Sequence, residues 1–271
     1  MPELPEVETI RRGIEPHVLG RRVARVVVRD ARLRWRVPRT IVSELPGQRI
    51  HTVRRRAKYL LLATDAGTAI LHLGMSGRLR VIDAEEPPAR HDHVDIVLDN
   101  GRALRLHDPR RFGAVLWTAA PPERHKLLAG LGPEPLEPAF SPAYLYAATR
   151  GRRRAIRDVL LDARIVAGVG NIYANEALFR AGIRPSRPAG RLSRADAARL
   201  VRGIRATLKH ALRAGGTTFR DYRDSNGDPG YFQLALKVYA RAGAPCRACG
   251  TPVRLLRLGQ RSAFYCPRCQ H

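Results

Sequence analysis

Four cysteines near the end of the chain have the spacing of a metal site. Cys246 and Cys249 are separated by two residues, as are Cys266 and Cys269, and sixteen residues lie between the two pairs. Two such pairs can place four thiolates tetrahedrally around Zn²⁺, and four protein ligands leave no open position for a water molecule. We therefore expect one structural zinc ion, carried on a short hairpin, with an iron–sulfur cluster as the open alternative.

The start of the chain, MPELPEVET, is a second candidate for chemistry. A small second residue such as Pro2 allows removal of Met1, which would leave a secondary amine beside the Glu3 carboxylate. An α-amino group has a pKa near ~7.7–8, so at neutral pH it is a nucleophile far more often than a lysine is. Its attack on a sugar C1′ gives an iminium ion that favours loss of the attached phosphates, and Glu3 would transfer protons. The alternative is an ordinary helix start, in which Pro5 and Glu6 favour the first turn.

The charge of the chain points to a polyanionic partner. It has 49 Lys and Arg against 24 Asp and Glu, a net charge of +25 and a pI near 11.4. Neutralising phosphates releases their condensed counterions, so a field of this sign favours nucleic acid. No acid follows Asp228, and the hairpin between the cysteine pairs carries Arg254, Arg257 and Arg261. We expect this finger to contact phosphates. The alternative is that the finger only stabilises the fold and that its positive charge has no binding role.

Length and composition exclude several other classes of protein. A chain of 271 residues with 44% hydrophobic residues is long enough for two globular domains. No apolar run approaches the ~18 residues that a membrane helix needs, and the first residues are acidic where a secretory signal is basic. We therefore expect an intracellular, cytoplasmic protein associated with the nucleoid, without a membrane partner, acting as a monomer.

Two kinds of secondary structure divide the chain. Alternating apolar residues predict strands up to about residue 118, with hairpins across Asn100-Gly101 and across residues 65–67. Helical periods follow, in AIRDVLLDARIV, NIYANEALFRAGI and the segment between Ser193, a predicted N-cap, and Gly215. The fold class is α+β, an antiparallel β-sandwich with an N-terminal helix followed by helices and a four-cysteine hairpin. The predicted domains are a β-sandwich (1–118), a proline-rich linker (119–142), a helical DNA-binding domain (143–235) and a zinc finger (236–271).

Several motifs together resemble one family. They are PELPEVET, RRAKYLLL, HLGMSG, HDHVD, DPRRFG, VAGVGNIYANEALF, GTTFRDY and GDPGYFQ, followed by the four-cysteine finger. In this order and over the whole chain they resemble the bacterial formamidopyrimidine-DNA glycosylases, which excise 8-oxoguanine and ring-opened purines. The resemblance implies a bifunctional glycosylase and lyase with a helix-two-turn-helix domain, acting on double-stranded DNA with oxidised purines or abasic sites.

The resemblance also implies roles for single residues. Pro2 would be the nucleophile, Glu3 the general acid/base, and Lys58 an assistant in elimination, where a compact ammonium suits the task better than a guanidinium. Extruding a base leaves a hole in the duplex that side chains must fill. The residues that match the family's remaining positions are Met75, Arg110 and Phe112 for filling the hole, Arg110 also for contact with the orphaned base, and His91, Arg111, Asn171 and Arg261 for the DNA backbone.

Two positions depart from the family's pattern, and one loop matches it. Arg157 stands where lysine is common, and we expect it to keep a phosphate contact; Ala163 stands where glutamine is common. The segment FRDYRDSNGDPGYFQ resembles the loop that closes over an extruded 8-oxoguanine. Two alternatives remain: an endonuclease VIII-like glycosylase for oxidised pyrimidines, and a non-catalytic zinc-finger protein that binds damaged DNA.

Overall fold

The structure, a computed structural model, describes residues 2–216 and 232–271. The described chain forms two compact units, one of residues 2–130 and 214–216 and one of residues 131–213 and 232–271. Most of the predicted lesion loop, residues 219–231, lies outside the described residues. Within them, no helix is both long and apolar enough to cross a membrane.

The first unit is a sandwich of two four-stranded antiparallel sheets. One sheet has the order β1-β6-β7-β5 and the other has the order β2-β3-β4-β8. The strands are β1 (Val23–Val28), β2 (Thr52–Arg56), β3 (Tyr59–Ala63), β4 (Thr68–His72), β5 (Arg78–Asp83), β6 (Asp92–Leu98), β7 (Arg102–His107) and β8 (Ala114–Thr118). Both predicted hairpins are confirmed, since β6 pairs with β7 across a turn in which Gly101 has φ +76°, and β3 pairs with β4.

Two helices and one 3₁₀ turn complete this unit: α1 (Leu4–Val18), α2 (Arg39–Glu44) and Pro122–Arg124. The apolar face of α1, with Val7, Ile10 and Ile14, joins the inward-facing side chains of both sheets in one core. Apolar residues three and four positions apart share one face of a helix, so α1 is held by burial of that face. Its first residues are thereby fixed against the sandwich.

A buried ion pair stiffens the sheet that contains β6 and β7. Arg105 on β7 is fully buried and makes two hydrogen bonds to Asp95 on β6, at 2.9 and 2.8 Å. Asp95 also accepts a hydrogen bond from Arg29 at 2.6 Å, and the Arg105 guanidinium reaches the carbonyl oxygens of Glu86 and Pro87. The partners satisfy the buried charges, so the cost of burying them is offset.

The second unit combines helices with a β-hairpin. Its elements are α3 (Pro142–Thr149), α4 (Ile156–Leu160), α5 (Asn171–Ala181), α6 (Arg194–Arg213), β9 (Arg254–Leu258) and β10 (Arg261–Tyr265), with 3₁₀ turns at Ala189–Arg191 and Phe232–Ala235. The predicted N-cap of α6 is confirmed, because the Ser193 hydroxyl accepts a hydrogen bond from the Asp196 N–H at 3.0 Å. A Cβ at Gly203 would lie 2.9 Å from the Ala177 carbonyl oxygen, so this glycine permits the close packing of α6 on α5.

The α4 helix is shorter than the sequence predicts. Its apolar period runs through AIRDVLLDARIV, yet the helix ends at Leu160. The Asp162 side chain accepts a hydrogen bond from the Arg164 backbone N–H at 3.1 Å, which offers the backbone a turn in place of further helix. The predicted fold class is otherwise confirmed: an α+β chain with antiparallel sheets, an N-terminal helix, a helical region and a cysteine-bearing hairpin.

Candidate active site and nucleic-acid interface

The N-terminal residues are buried at the start of α1. Pro2 and Glu3 are buried, and Glu3 is the N-cap residue, with extended backbone angles. Its backbone N–H donates to Glu6 Oε2 at 2.8 Å, so Glu6 supplies the helix-start chemistry. Gly216 packs against the same side chain, since a Cβ there would lie 3.0 Å from Glu6 Oε1. The same segment can therefore begin the helix through Glu6 and present Pro2 and Glu3 for chemistry.

A cluster of ion pairs joins α1 to the turn that carries Lys58. Glu8 on α1 forms salt bridges with Arg11 and Arg12 on its own helix and with Arg55 on β2, at 3.0, 3.0 and 3.2 Å. Arg55 also donates to the Ala57 carbonyl oxygen at 2.9 Å. Ala57 has φ +52°, so the backbone turns sharply just before Lys58. These contacts position the β2–β3 turn relative to α1.

His72, at the end of β4, contacts the turn that carries Met75 and feels the charge of Lys58. Burial lowers the pKa of His72 to about 4, and the positive charges of Lys58 and Arg34 add to the effect. The ring lies 4.7 Å from the Tyr59 ring, and its Nδ1 accepts the Gly74 backbone N–H at 2.9 Å. A neutral imidazole is required for that acceptance, so the lowered pKa and the hydrogen bond support each other.

Met75 and Phe112, two of the residues matched to hole filling, lie on loops that touch. Their side chains are 41% and 42% exposed, which is unusual for large apolar groups. A Cβ at Gly74 would clash with the Phe112 carbonyl group, so only glycine permits this approach of the two backbones. The Arg110 guanidinium lies 5.1 Å from the centre of the Phe112 ring. The structure thus brings all three predicted side chains to one place.

The two backbone-contact candidates of this unit lie nearby. His91 is partly buried, and its ring stands 5.9 Å from that of His107. Burial and the charge of Arg90 lower the pKa of His91. Arg111, at φ +55°, forms a salt bridge with Asp30 at 2.8 Å while its side chain stays 42% exposed. The ion pair orients this guanidinium.

In the second unit, α5 and the finger are joined through Asn171, one of the residues predicted to contact the DNA backbone. Gly170 precedes α5 as its N-cap residue, so the positive end of the helix dipole lies at this loop. Asn171 donates one amide N–H to the Ser262 carbonyl oxygen at 2.9 Å, and Asn175 accepts the Phe264 backbone N–H at 2.7 Å. The amide of Asn171 has a second N–H for a ligand.

Arg157 does not occupy the exposed position expected of a phosphate contact. Its side chain is 1% exposed, and Nη2 donates to the carbonyl oxygens of Leu258 and Arg261 at 2.8 and 3.1 Å. These carbonyls lie on either side of the turn between β9 and β10. Burial lowers the pKa of Arg157, with the charge of Arg261 adding to the effect. The side chain thus anchors the finger turn, beside a cleft of about 400 Å³ that Arg154 and Arg261 line. The exposed Ala163 contributes its carbonyl oxygen, which accepts the Gly132 N–H at 2.8 Å.

The finger has the donor set of a zinc site. The four cysteine sulfur atoms lie within 4.8 Å of one another, and Sγ of Cys249 is 3.4 Å from Sγ of Cys266. Four soft thiolates at this spacing fit Zn²⁺, and no fifth donor is needed. Glu176 on α5 accepts the backbone N–H groups of residues 237–239, each at 2.9 Å, which fixes the segment leading into the finger.

Sequence reasoning missed the part that Asp108, Glu176 and His72 play in holding these groups in place, and it predicted a phosphate contact for Arg157 instead of an anchoring role. Asp108 is the acid of the DPRRFG motif, in which only the arginines and the phenylalanine were assigned roles. Glu176 is an acid among the apolar residues of a helix. Both are signals that could have been used, because a buried acid requires partners. The partners of His72 and Arg157 carry no sequence signal, since they are backbone groups far along the chain or in a turn.

Known proteins resemble this chain over its whole length. Three family models match: the formamidopyrimidine-DNA glycosylase N-terminal domain over residues 1–115, the formamidopyrimidine-DNA glycosylase H2TH domain over residues 131–223, and the zinc finger found in FPG and IleRS over residues 243–271. A formamidopyrimidine-DNA glycosylase of Methylococcus capsulatus is 58% identical, with all of both chains covered.

Two solved structures share the fold. The MutM (FPG) protein of Thermus thermophilus is 44% identical, with a TM-score of 0.89 and 99% and 98% of the two chains covered. The Lactococcus lactis Fpg in complex with DNA containing an abasic site is 30% identical, with a TM-score of 0.91 and full coverage of both chains.

The sandwich, the helical region and the four-cysteine finger define a DNA-binding repair enzyme. The chain belongs to the formamidopyrimidine-DNA glycosylase family. It is a DNA glycosylase of base excision repair, and its finger holds one structural zinc ion.

Proposed function

We propose that this glycosylase removes 8-oxoguanine and formamidopyrimidines from double-stranded DNA and then cleaves the abasic site by β,δ-elimination. The observation that carries the proposal is the Pro2–Glu3 pair, buried and fixed at the N-cap of α1. The name shared by the relatives supports the lesion class, and the abasic-site DNA bound by the Lactococcus lactis relative supports the second substrate.

The reaction begins at the nitrogen of Pro2 after removal of Met1. Its lone pair attacks C1′, the glycosidic bond breaks, and the base leaves with a proton. Opening of the sugar ring gives a cationic iminium ion, which withdraws electrons from C2′. Loss of a C2′ proton then expels the 3′ phosphate, and a second elimination expels the 5′ phosphate. Glu3 transfers protons in these steps, and Lys58 assists the eliminations.

The remaining site residues bind and reshape the duplex. Met75 and Phe112 enter the space of the extruded base, as apolar wedges do in other DNA-bending proteins. Arg110 pairs with the orphaned base. Backbone phosphates are bound by His91, Arg111, Asn171 and Arg261, which position the duplex without reading its sequence. The enzyme acts as a monomer on the chromosomal DNA of the cytoplasm, at the nucleoid.

A variant with a blocked or replaced N-terminus tests the proposal. Pro2→Gln, or a chain that keeps Met1, has no secondary amine at this position. We expect it to bind an 8-oxoguanine duplex normally and to lose strand cleavage. Pro5→Ala is the matched control, because it changes a proline of the same helix turn and leaves the terminus intact; it should keep most activity. Full cleavage by Pro2→Gln would overturn the mechanism.

A further inference from the structure

A single buried carboxylate joins the loops that carry the proposed hole-filling side chains. Asp108 lies between β7 and the Arg110–Phe112 segment and is fully buried. Its Oδ1 accepts the Ser76 hydroxyl at 3.2 Å, and its Oδ2 accepts the Gly113 backbone N–H at 2.7 Å. Ser76 directly follows Met75, and Gly113 directly follows Phe112. One side chain therefore binds the residue next to each apolar wedge.

The backbone of Asp108 connects the same cluster to the histidine strand. Its N–H donates to the His91 carbonyl oxygen at 2.9 Å. Its carbonyl oxygen contacts His93 Nε2 at 2.9 Å and accepts the Arg111 N–H at 3.2 Å. Three separate segments thus meet at this residue: the Met75 turn, the Arg110–Phe112 loop and the start of β6.

The backbone at Gly113 packs closely against Asp108 and the end of β4. A Cβ at Gly113 would lie 3.0 Å from Asp108 Oδ2 and 2.8 Å from the His72 carbonyl oxygen. The Met75 turn is closed by a hydrogen bond from the Gly77 N–H to the Leu73 carbonyl oxygen at 2.9 Å. Met75 and Phe112 are 41% and 42% exposed, so packing covers only part of each side chain. Their placement therefore depends on the loops that carry them, and the buried carboxylate of Asp108 binds both loops.

We propose that Asp108 is a positioning residue that sets Met75 and Phe112 at the spacing needed to fill the hole left by an extruded base. It acts through the two loops and does not touch the reacting atoms. The inference rests on the proposed hole-filling roles of these two side chains. The inference predicts that Asp108 affects one reaction and not the other. Excision of a base depends on Asp108, because the base must first be extruded. Cleavage at a preformed abasic site does not, because there is no base to extrude.

The test compares two single-turnover rates for each variant. One rate is excision from a duplex with 8-oxoguanine opposite cytosine, and the other is cleavage of the same duplex with a preformed abasic site. Their ratio cancels the fraction of protein that is folded and active. We expect Asp108→Ala to lower the ratio roughly ten- to hundredfold, the effect of a displacement of about 1 Å in a positioned group. Asp108→Asn should stay within about threefold of the wild type, because its amide can accept from Gly113 and donate to Ser76.

Asp95→Asn is the matched control, since Asp95 is a second buried acid of the same unit and lies outside the proposed site. It should lower the melting temperature and leave the ratio unchanged. An unchanged ratio for Asp108→Ala, or an equal fall for Asp95→Asn, would overturn the inference. If Asp108→Ala does not fold, Ser76→Ala removes one of the two side-chain bonds and should lower the ratio severalfold; an unchanged ratio there would also overturn it.

Met75→Ala separates this inference from the proposal beneath it. Truncation of the wedge should lower the same ratio. A fall with Met75→Ala but none with Asp108→Ala would remove the positioning role alone. No fall with Met75→Ala would remove the hole-filling role of this turn and the positioning role with it.

Discussion

Replacing Arg157 by methionine removes the anchor of the finger turn while keeping a side chain of similar length. Two hydrogen bonds are lost, to the carbonyl oxygens of Leu258 and Arg261 at 2.8 and 3.1 Å. A hydrogen bond from a charged donor contributes about 1.5–3 kcal/mol, and burial of the guanidinium offsets part of this. We therefore expect a loss of about 2 kcal/mol, which frees the turn that carries Arg261.

A double-mutant cycle on DNA binding measures whether Arg157 acts through Arg261. The assay is affinity for an abasic-site duplex as a function of salt concentration. A lost phosphate contact lowers the slope of log K against log salt by about 0.9. Each single variant, Arg157→Met and Arg261→Met, should lower it by up to this amount. The double variant should lose no more than about 0.9, with a coupling energy of at least ~1 kcal/mol.

Additive losses would refute the anchoring role. If Arg157 bound its own phosphate, the double variant would lose about 1.8 in slope and the two free energies would sum. Arg154 provides the control, because it lines the same cleft and its side chain is 56% exposed. Arg154→Met combined with Arg261→Met should be additive. Zinc content, measured for every variant, shows whether the finger has stayed folded.

Three further substitutions test the supports of the site. Glu176→Gln leaves one oxygen to accept the N–H groups of residues 237–239. We expect the free energy of unfolding to fall by about 2 kcal/mol and a chelator to remove zinc faster. Removal of zinc at the wild-type rate would contradict this role of Glu176. The pKa of His72 is about 4 in the folded chain against an ordinary 6.5, so the unfolded chain takes up the proton first as the pH falls. Up to about 3 kcal/mol of stability should be lost between pH 6.5 and 4, and His72→Asn should show a shallower pH dependence in denaturant titrations. Gly74→Ala places a Cβ against the Phe112 backbone at φ +61°; it should cost at least ~1–2 kcal/mol and lower 8-oxoguanine excision, whereas a melting temperature equal to that of the wild type would contradict the packing.

The sequence predicts those parts of the fold that local patterns determine. The turn chemistry of Asn100-Gly101 and the N-cap at Ser193 each concern residues close in the chain, and both agree with the structure. The cysteine spacing likewise predicts the metal site, because two short Cys-x2-Cys segments supply all four ligands. The end of α4 was missed because its apolar period continues past Asp162, whose side chain turns the backbone.

The candidate site depends on contacts that no local pattern contains. Arg157 illustrates this: its partners lie about 100 residues further along the chain and are backbone carbonyls, which every residue possesses. Asp108 belongs to a recognisable motif, yet the motif does not show that Asp108 contacts Ser76. That contact forms because β5, β6 and β7 pair and bring the two residues together. Sequence reasoning thus identified the groups that face DNA more readily than the groups that hold them.

The most direct test of the proposed mechanism is to trap the covalent intermediate. The purified enzyme is incubated with a duplex that carries one 8-oxoguanine opposite cytosine, borohydride is added, and the adduct is mapped by mass spectrometry. We expect a reduced adduct on the nitrogen of Pro2. An adduct on a lysine such as Lys58, or excision and cleavage with no adduct, would contradict the mechanism.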